Sequence, residues 1–139
     1  MQKIVIDTNV LVSALITKGF PSRIIDELIL GEKVSLCLSK EVWEEYVEVL
    51  NRERFSKYPS FNTNAGIVLS ELENLALLFH PNLKINKIKD ETDNKFLELA
   101  VFANAEFLIT GNTLDFTFNR FKNIQIVTPR EYWENYKPL

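Results

Sequence analysis

The stretch Lys3-Ile4-Val5-Ile6-Asp7-Thr8-Asn9-Val10-Leu11 decides how the rest of the chain is read. Residues 3–6 are mostly apolar and β-branched, the composition of a buried strand. Asp7, Thr8 and Asn9 are all helix-capping residue types, and the apolar positions resume at Val10, so a helix is expected from about Thr8 to Ile16. A strand that runs through an acid directly into a helix is the repeating unit of a parallel α/β sheet.

The same alternation continues downstream. Pro21 opens a helix expected over 22–30, with Gly31 as its stop. Residues 34–38 read as a second strand, and Ser39 caps a helix to about Arg52 with Val42, Tyr46, Val49 and Leu50 on one stripe. A long helix is expected over 63–79, where Ala65, Val68, Leu69, Leu72, Leu75, Ala76 and Phe79 follow the helical period. Ile67, Leu77 and Leu78 fall off that stripe, which leaves two readings open: burial on several sides, or a face covered by a second copy. His80, in Phe79-His80-Pro81-Asn82, reads as a helix-end or turn residue. Residues 83–88 read as a short strand or an extended loop. A helix from Glu91 to about Asn104, strands at Glu106–Thr110 and Ile124–Val127, and a helix opened by Thr128-Pro129-Arg130-Glu131 complete the order. That last quartet combines an N-cap, a proline at the first helical position and a capping box. The alternation predicts a three-layer α/β/α sandwich around a mostly parallel sheet, with right-handed crossovers.

Bulk composition bounds the function. A chain of 139 residues is expected to form one domain, residues 1–139, with a sizeable core. Hydrophobic residues at 46% and charged residues at 25% are ordinary for a water-soluble protein. The single cysteine, Cys37, sits in the apolar run Val34-Ser35-Leu36-Cys37-Leu38 and reads as a small buried hydrophobe suited to a reducing compartment. The start has no secretory h-region, and no run approaches the ~18–20 apolar residues of a membrane span, so a cytoplasmic location is expected and no membrane partner. The net charge of −3 does not advertise nucleic-acid binding. Acids gathered around a bound cation would make that sum misleading, however. Local basic clusters (Arg52, Arg54 and Lys57; Lys84, Lys87 and Lys89; Arg120 and Lys122) read first as solvated faces.

Ligands of such sheets bind beyond the carboxyl ends of the strands, where strand order reverses. Asp7 and Asn112 both follow strands at that edge. Asp7 could cap its helix, but Thr8 and Asn9 can do so as well, which would free Asp7 for the cleft. Among Glu41, Glu44, Glu45 and Glu48, Glu45 has Val42 and Val49 as helical neighbours and is best placed to reach inward. Glu44 belongs to a solvated face. Asp90 reads as an N-cap. Asp93 stands three and four positions before Phe96 and Leu97, above a buried stripe, and is favoured for a site role. Asn112, with Asp115 three positions on, is readable equally as a cap or as a site residue. Brought together, these side chains would make an acidic pocket suited to magnesium and phosphate chemistry. One histidine and one cysteine exclude the usual zinc sites, and nothing places His80 beside a nucleophile.

Four segments in order resemble the PIN domain (PilT N-terminus) nuclease family: 4–11; Ser39-Lys40-Glu41-Val42-Trp43-Glu44-Glu45-Tyr46; Asp90-Glu91-Thr92-Asp93-Asn94-Lys95-Phe96-Leu97; and Phe107-Leu108-Ile109-Thr110-Gly111-Asn112. The ending Ile126-Val127-Thr128-Pro129-Arg130-Glu131-Tyr132 is similar too, so the likeness spans essentially the whole chain. The resemblance implies a central parallel sheet of about five strands flanked by helices, and Mg²⁺- or Mn²⁺-dependent hydrolysis of single-stranded RNA. It implies Asp7, Glu45 and Asp93 as the catalytic and metal-binding acids, and Asn112 at a fourth metal position where many members have aspartate. Thr8, Asn9 and Asp115 are candidate supporting residues. Many small bacterial members are toxins of type II toxin–antitoxin pairs, which implies a homodimer held by a small antitoxin. Asn112 keeps a second reading open, an RNA-binding or scaffold protein of the same fold that has lost turnover. A phosphotransferase built on Asp7 would want an acid at position 9, where Asn9 stands.

Overall fold

The structure, a computed structural model, describes residues 1–85, 94–111 and 120–139. Among these, six strands form one sheet: β1 (Lys3–Ile6), β2 (Ser35–Leu38), β3 (Leu77–Leu78), β4 (Phe107–Ile109), β5 (Arg120–Phe121) and β6 (Ile124–Val127). Their spatial order is β3-β2-β1-β4-β6-β5. All neighbours are parallel except β5 and β6, which form an antiparallel edge. The chain therefore builds outward from β1 on one side, then returns to build the other side from β4. The reversal lies between β1 and β4, the position where such sheets bind ligands.

Among the described residues six α-helices surround the sheet: α1 (Thr8–Ile16), α2 (Phe20–Arg23), α3 (Lys40–Leu50), α4 (Phe61–Leu75), α5 (Asn94–Ala103) and α6 (Pro129–Glu131). The architecture is the mixed, mostly parallel α/β arrangement that the alternation of elements predicts, with one more strand than the expected five. The two shortest strands, β3 and β5, carry too few residues for a periodicity to register. The three central strands are nearly sealed from water: Ile4, Val5, Ile6, Leu36, Cys37, Leu38, Leu108 and Ile109 are all buried.

Local chemistry explains most boundaries. Thr128 and Glu131 form the expected reciprocal capping box ahead of α6. After α2 the chain runs on in wide π-type turns (Ile24–Ile29) rather than as one α-helix over 22–30. It stops at Gly31, where a Cβ would stand 2.3 Å from the carbonyl oxygen of Glu27. Any side chain there would force the backbone apart.

The long helix is shorter than its periodicity suggests. α4 ends at Leu75, Ala76 is extended, and Leu77 and Leu78 become an edge strand paired with Cys37 and Leu38. The backbone N–H of Phe79 then donates to Leu38 at 2.8 Å. An unbroken apolar run fits helix and strand alike, and the open edge of β2 decides between them. Of the two readings left open for the residues off the stripe, burial on several sides does not hold, because Ile67 is 52% exposed and Leu78 is 62% exposed. His80 consequently follows an edge strand and not a helix end.

Candidate functional site

Asp7 is fixed by the sheet. Its backbone N–H makes the last rung of the β1–β4 ladder, donating to the Ile109 carbonyl at 2.9 Å. Thr110 occupies the same level on the neighbouring strand, its N–H donating to Val127 at 2.9 Å. The two side chains meet: Thr110 Oγ1 donates to Asp7 Oδ2 at 2.7 Å, and both residues are buried. Asp7 Oδ1 accepts a long bond of 3.5 Å from the Asn9 backbone N–H. Asp7 is thus itself the N-cap of α1, contrary to the expectation that Thr8 and Asn9 would relieve it. Thr8 has a different partner, and the side chain of Asn9 is exposed.

α3 brings the second acid. Ser39 Oγ accepts from the Val42 N–H at 3.2 Å and starts the helix at the carboxyl edge of β2. Val42, Tyr46 and Val49 are buried against the core, and the fully buried Tyr46 hydroxyl donates to the Ile6 carbonyl at 2.5 Å. That bond ties α3 to the residue just before Asp7 and sets the rotation of the helix. Glu45 is thereby turned inward, with its side chain 18% exposed, whereas Glu44 on the outer face is 62% exposed. Glu45 Oε2 accepts a short hydrogen bond from Thr8 Oγ1. Its Oε1 pairs with Lys95 Nζ at 2.8 Å, from the first turn of α5.

The resulting cluster joins four separate stretches of chain around two carboxylates: Asp7 and Thr8, Glu45, Lys95, and Thr110. Burial pushes the Asp7 carboxyl above the ordinary aspartate range. The Thr110 hydroxyl works against that shift, and the negative charge of Glu45 adds to it. Two acids close enough to feel each other in a poorly hydrated cleft favour a cation between them. The donors are all oxygen, which fits Mg²⁺ or Mn²⁺ better than a softer metal. Two acids do not make a complete cage, and among the described residues no group of three or more His, Cys, Asp or Glu side chains could hold a metal ion. Asp90, Asp93, Asn112 and Asp115 lie outside the described residues.

The remaining polar candidates stand apart. Cys37 is fully buried in β2, where burial pushes its thiol up to about 11 and keeps it protonated at neutral pH. His80 lines an apolar groove of about 350 Å³ with Leu38, Lys40, Trp43, Glu73, Ala76 and Leu78, sharing no residue with the acidic cluster. Two members of the cluster escaped the sequence reading. Thr110 was visible only as part of a turn. Lys95 looks like any exposed helical lysine, because its partner lies 50 residues away on another helix.

Comparison with known proteins agrees with this fold. A family model described as the PIN domain matches residues 3–114. The uncharacterized protein MJ1680 of Methanocaldococcus jannaschii is 31% identical over 145 aligned positions, covering 97% of this chain and 92% of that one. The fold is similar to the crystal structure of VapBC2 from Rickettsia felis bound to a DNA fragment from their promoter. That likeness has a TM-score of 0.58 and 16% identity, covers 91% of this chain and 98% of that chain, and is one of fold.

Proposed function

This chain belongs to the PIN domain family of nucleases, and from that membership we propose that it is a Mg²⁺- or Mn²⁺-dependent endoribonuclease acting on single-stranded RNA. The observation that carries the proposal is that Glu45 accepts from Thr8, the residue beside Asp7, at the carboxyl edge of the sheet next to the β1–β4 reversal, where its charge acts on the Asp7 carboxyl. Asp7 and Asp93 would hold the ion, directly or through water. Glu45 would orient the attacking water or share the ion, and Asn112 would offer its amide oxygen as a further ligand. Thr8 and Thr110 hold the two carboxylates in fixed rotamers by donating to them, and Asn9 and Asp115 are supporting residues. The bound cation supplies Lewis-acid polarisation of the scissile phosphate and lowers the pKa of water.

At the level of the cell, the proposal is a toxin of a type II toxin–antitoxin pair. Residues 1–139 form one cytoplasmic domain, working as a homodimer restrained by a small antitoxin. The fold likeness to VapBC2 supports that partner. The absence of a membrane-crossing helix among the described residues is compatible with it. An alternative, a fold-mate that binds RNA without turnover, draws on Asn112 in place of an acid and on the engagement of both Glu45 oxygens by protein groups.

One measurement separates these readings. Cleavage of single-stranded RNA is followed with and without Mn²⁺ for wild type and Asp7→Asn. Metal-dependent cleavage that Asp7→Asn abolishes supports the nuclease. Undiminished cleavage by the variant rejects the assignment, and binding of RNA without cleavage by wild type favours the alternative.

A further inference from the structure

The ion pair between Lys95 and Glu45 differs in kind from the other pairs among the described residues. Lys40–Glu44, Arg52–Glu48 and Arg130–Glu134 each join positions four apart along the chain, with side chains between 43% and 79% exposed. Pairs of that sort hold little energy and specify little. Lys95–Glu45 bridges α5 to α3 at 2.8 Å, with the two side chains only 26% and 18% exposed. It is also the one of the four whose carboxylate lies in the candidate site.

Both oxygens of Glu45 are engaged, Oε2 by the Thr8 hydroxyl and Oε1 by the Lys95 ammonium. Asp7 feels the charge of Glu45, so the two acids would repel if no cation stood near them. Lysine suits a reversible contact here, being a compact point charge on a flexible stem. A divalent ion approaching Oε1 meets that ammonium at the same oxygen, and two cations a few ångströms apart disfavour each other.

Resting on the nuclease reading above, we infer that Lys95 is a positioning residue that acts through Glu45. Its ammonium holds the glutamate in the metal-free protein and competes with the divalent ion for the same carboxylate oxygen.

Calorimetric titration of the metal-free protein with Mn²⁺ tests this without reference to cleavage. Lys95→Met removes the competitor and is expected to bind Mn²⁺ about ten-fold tighter, the weight of one charge-assisted contact. Lys95→Arg keeps a cation and is expected to bind as wild type does. Lys95→Met also lowers the metal-free unfolding midpoint, and does so less in a Glu45→Gln background, where no carboxylate remains to be held. Unchanged or weaker Mn²⁺ binding by Lys95→Met would overturn the inference, as would an arginine variant that behaves like methionine or an undiminished loss of stability in the Glu45→Gln background. Wild type that binds no Mn²⁺ would sink the metal-dependent reading and this inference together, whereas wild type that binds while Lys95→Met matches it sinks the lysine role alone.

Discussion

Asp7 works against the stability of the metal-free protein that carries it. Burial raises its folded pKa above the ordinary 3.8, so the folded state holds its proton more tightly than the unfolded chain does. The unfolded chain ionises first as pH rises. Stability is therefore full below the ordinary aspartate pKa, falls as pH climbs from there through the raised folded value, and stays low above it. An asparagine at position 7 has no such penalty. Asp7→Asn is expected to raise the unfolding midpoint of the metal-free protein at pH 7 and to flatten the loss of stability across that acid window. Thermal melts of both proteins from pH 3 to pH 8 would check it, and a variant melting below wild type at pH 7 would contradict it. The same substitution that is expected to remove activity would thus stabilise the scaffold, the usual trade at a functional site.

At the scale of the element, α3 is the part that has to be aimed. Its cap at Ser39 fixes where it starts, but its rotation is set by the Tyr46 hydroxyl against the Ile6 carbonyl. Tyr46→Phe keeps the ring and leaves a buried carbonyl without that donor, which should cost about 1–3 kcal/mol in urea unfolding. It should also loosen Glu45, so weaker Mn²⁺ binding is expected alongside the lost stability. A loss of stability with intact metal affinity would mean that Tyr46 only packs. The edge of the sheet teaches a related lesson. Leu77 and Leu78 are strand because β2 offers them unpaired backbone groups, not because of anything in their own residue types.

For the whole molecule, the order of the strands is the functional fact. β1 and β4 are neighbours although about a hundred residues separate them, and their shared edge carries Asp7 and Thr110. A cation binding there binds the folded state and not the dispersed chain. Mn²⁺ at 100 times its Kd should therefore stabilise wild type by about 2.7 kcal/mol, seen as a raised Tm. Asp7→Asn should lose most of that increment. An equal rise in both proteins would place the ion elsewhere.

Strands 3–6 and 124–127, the helix from Thr8 to Ile16, the Ser39 cap and the Thr128 box were legible in the sequence, because each follows from neighbours within a turn or two. So was the choice of Glu45 over Glu44 as the inward glutamate, since Val42 and Val49 flank it on the same helical face. The edge strands β3 and β5 were not, being two residues each and defined by the partner they pair with. Nor were Thr110 and Lys95 as members of the cluster, since their partners lie 103 and 50 residues away. The amino-acid order by itself settled the central strands, most of the helices and the Ser39 and Thr128 caps, because those depend on short-range periodicity and local hydrogen bonds. Only the assembled sheet decided that Asp7 meets Thr110 and that Glu45 meets Thr8 and Lys95, because contacts between distant segments depend on strand order and helix rotation, which no local pattern encodes.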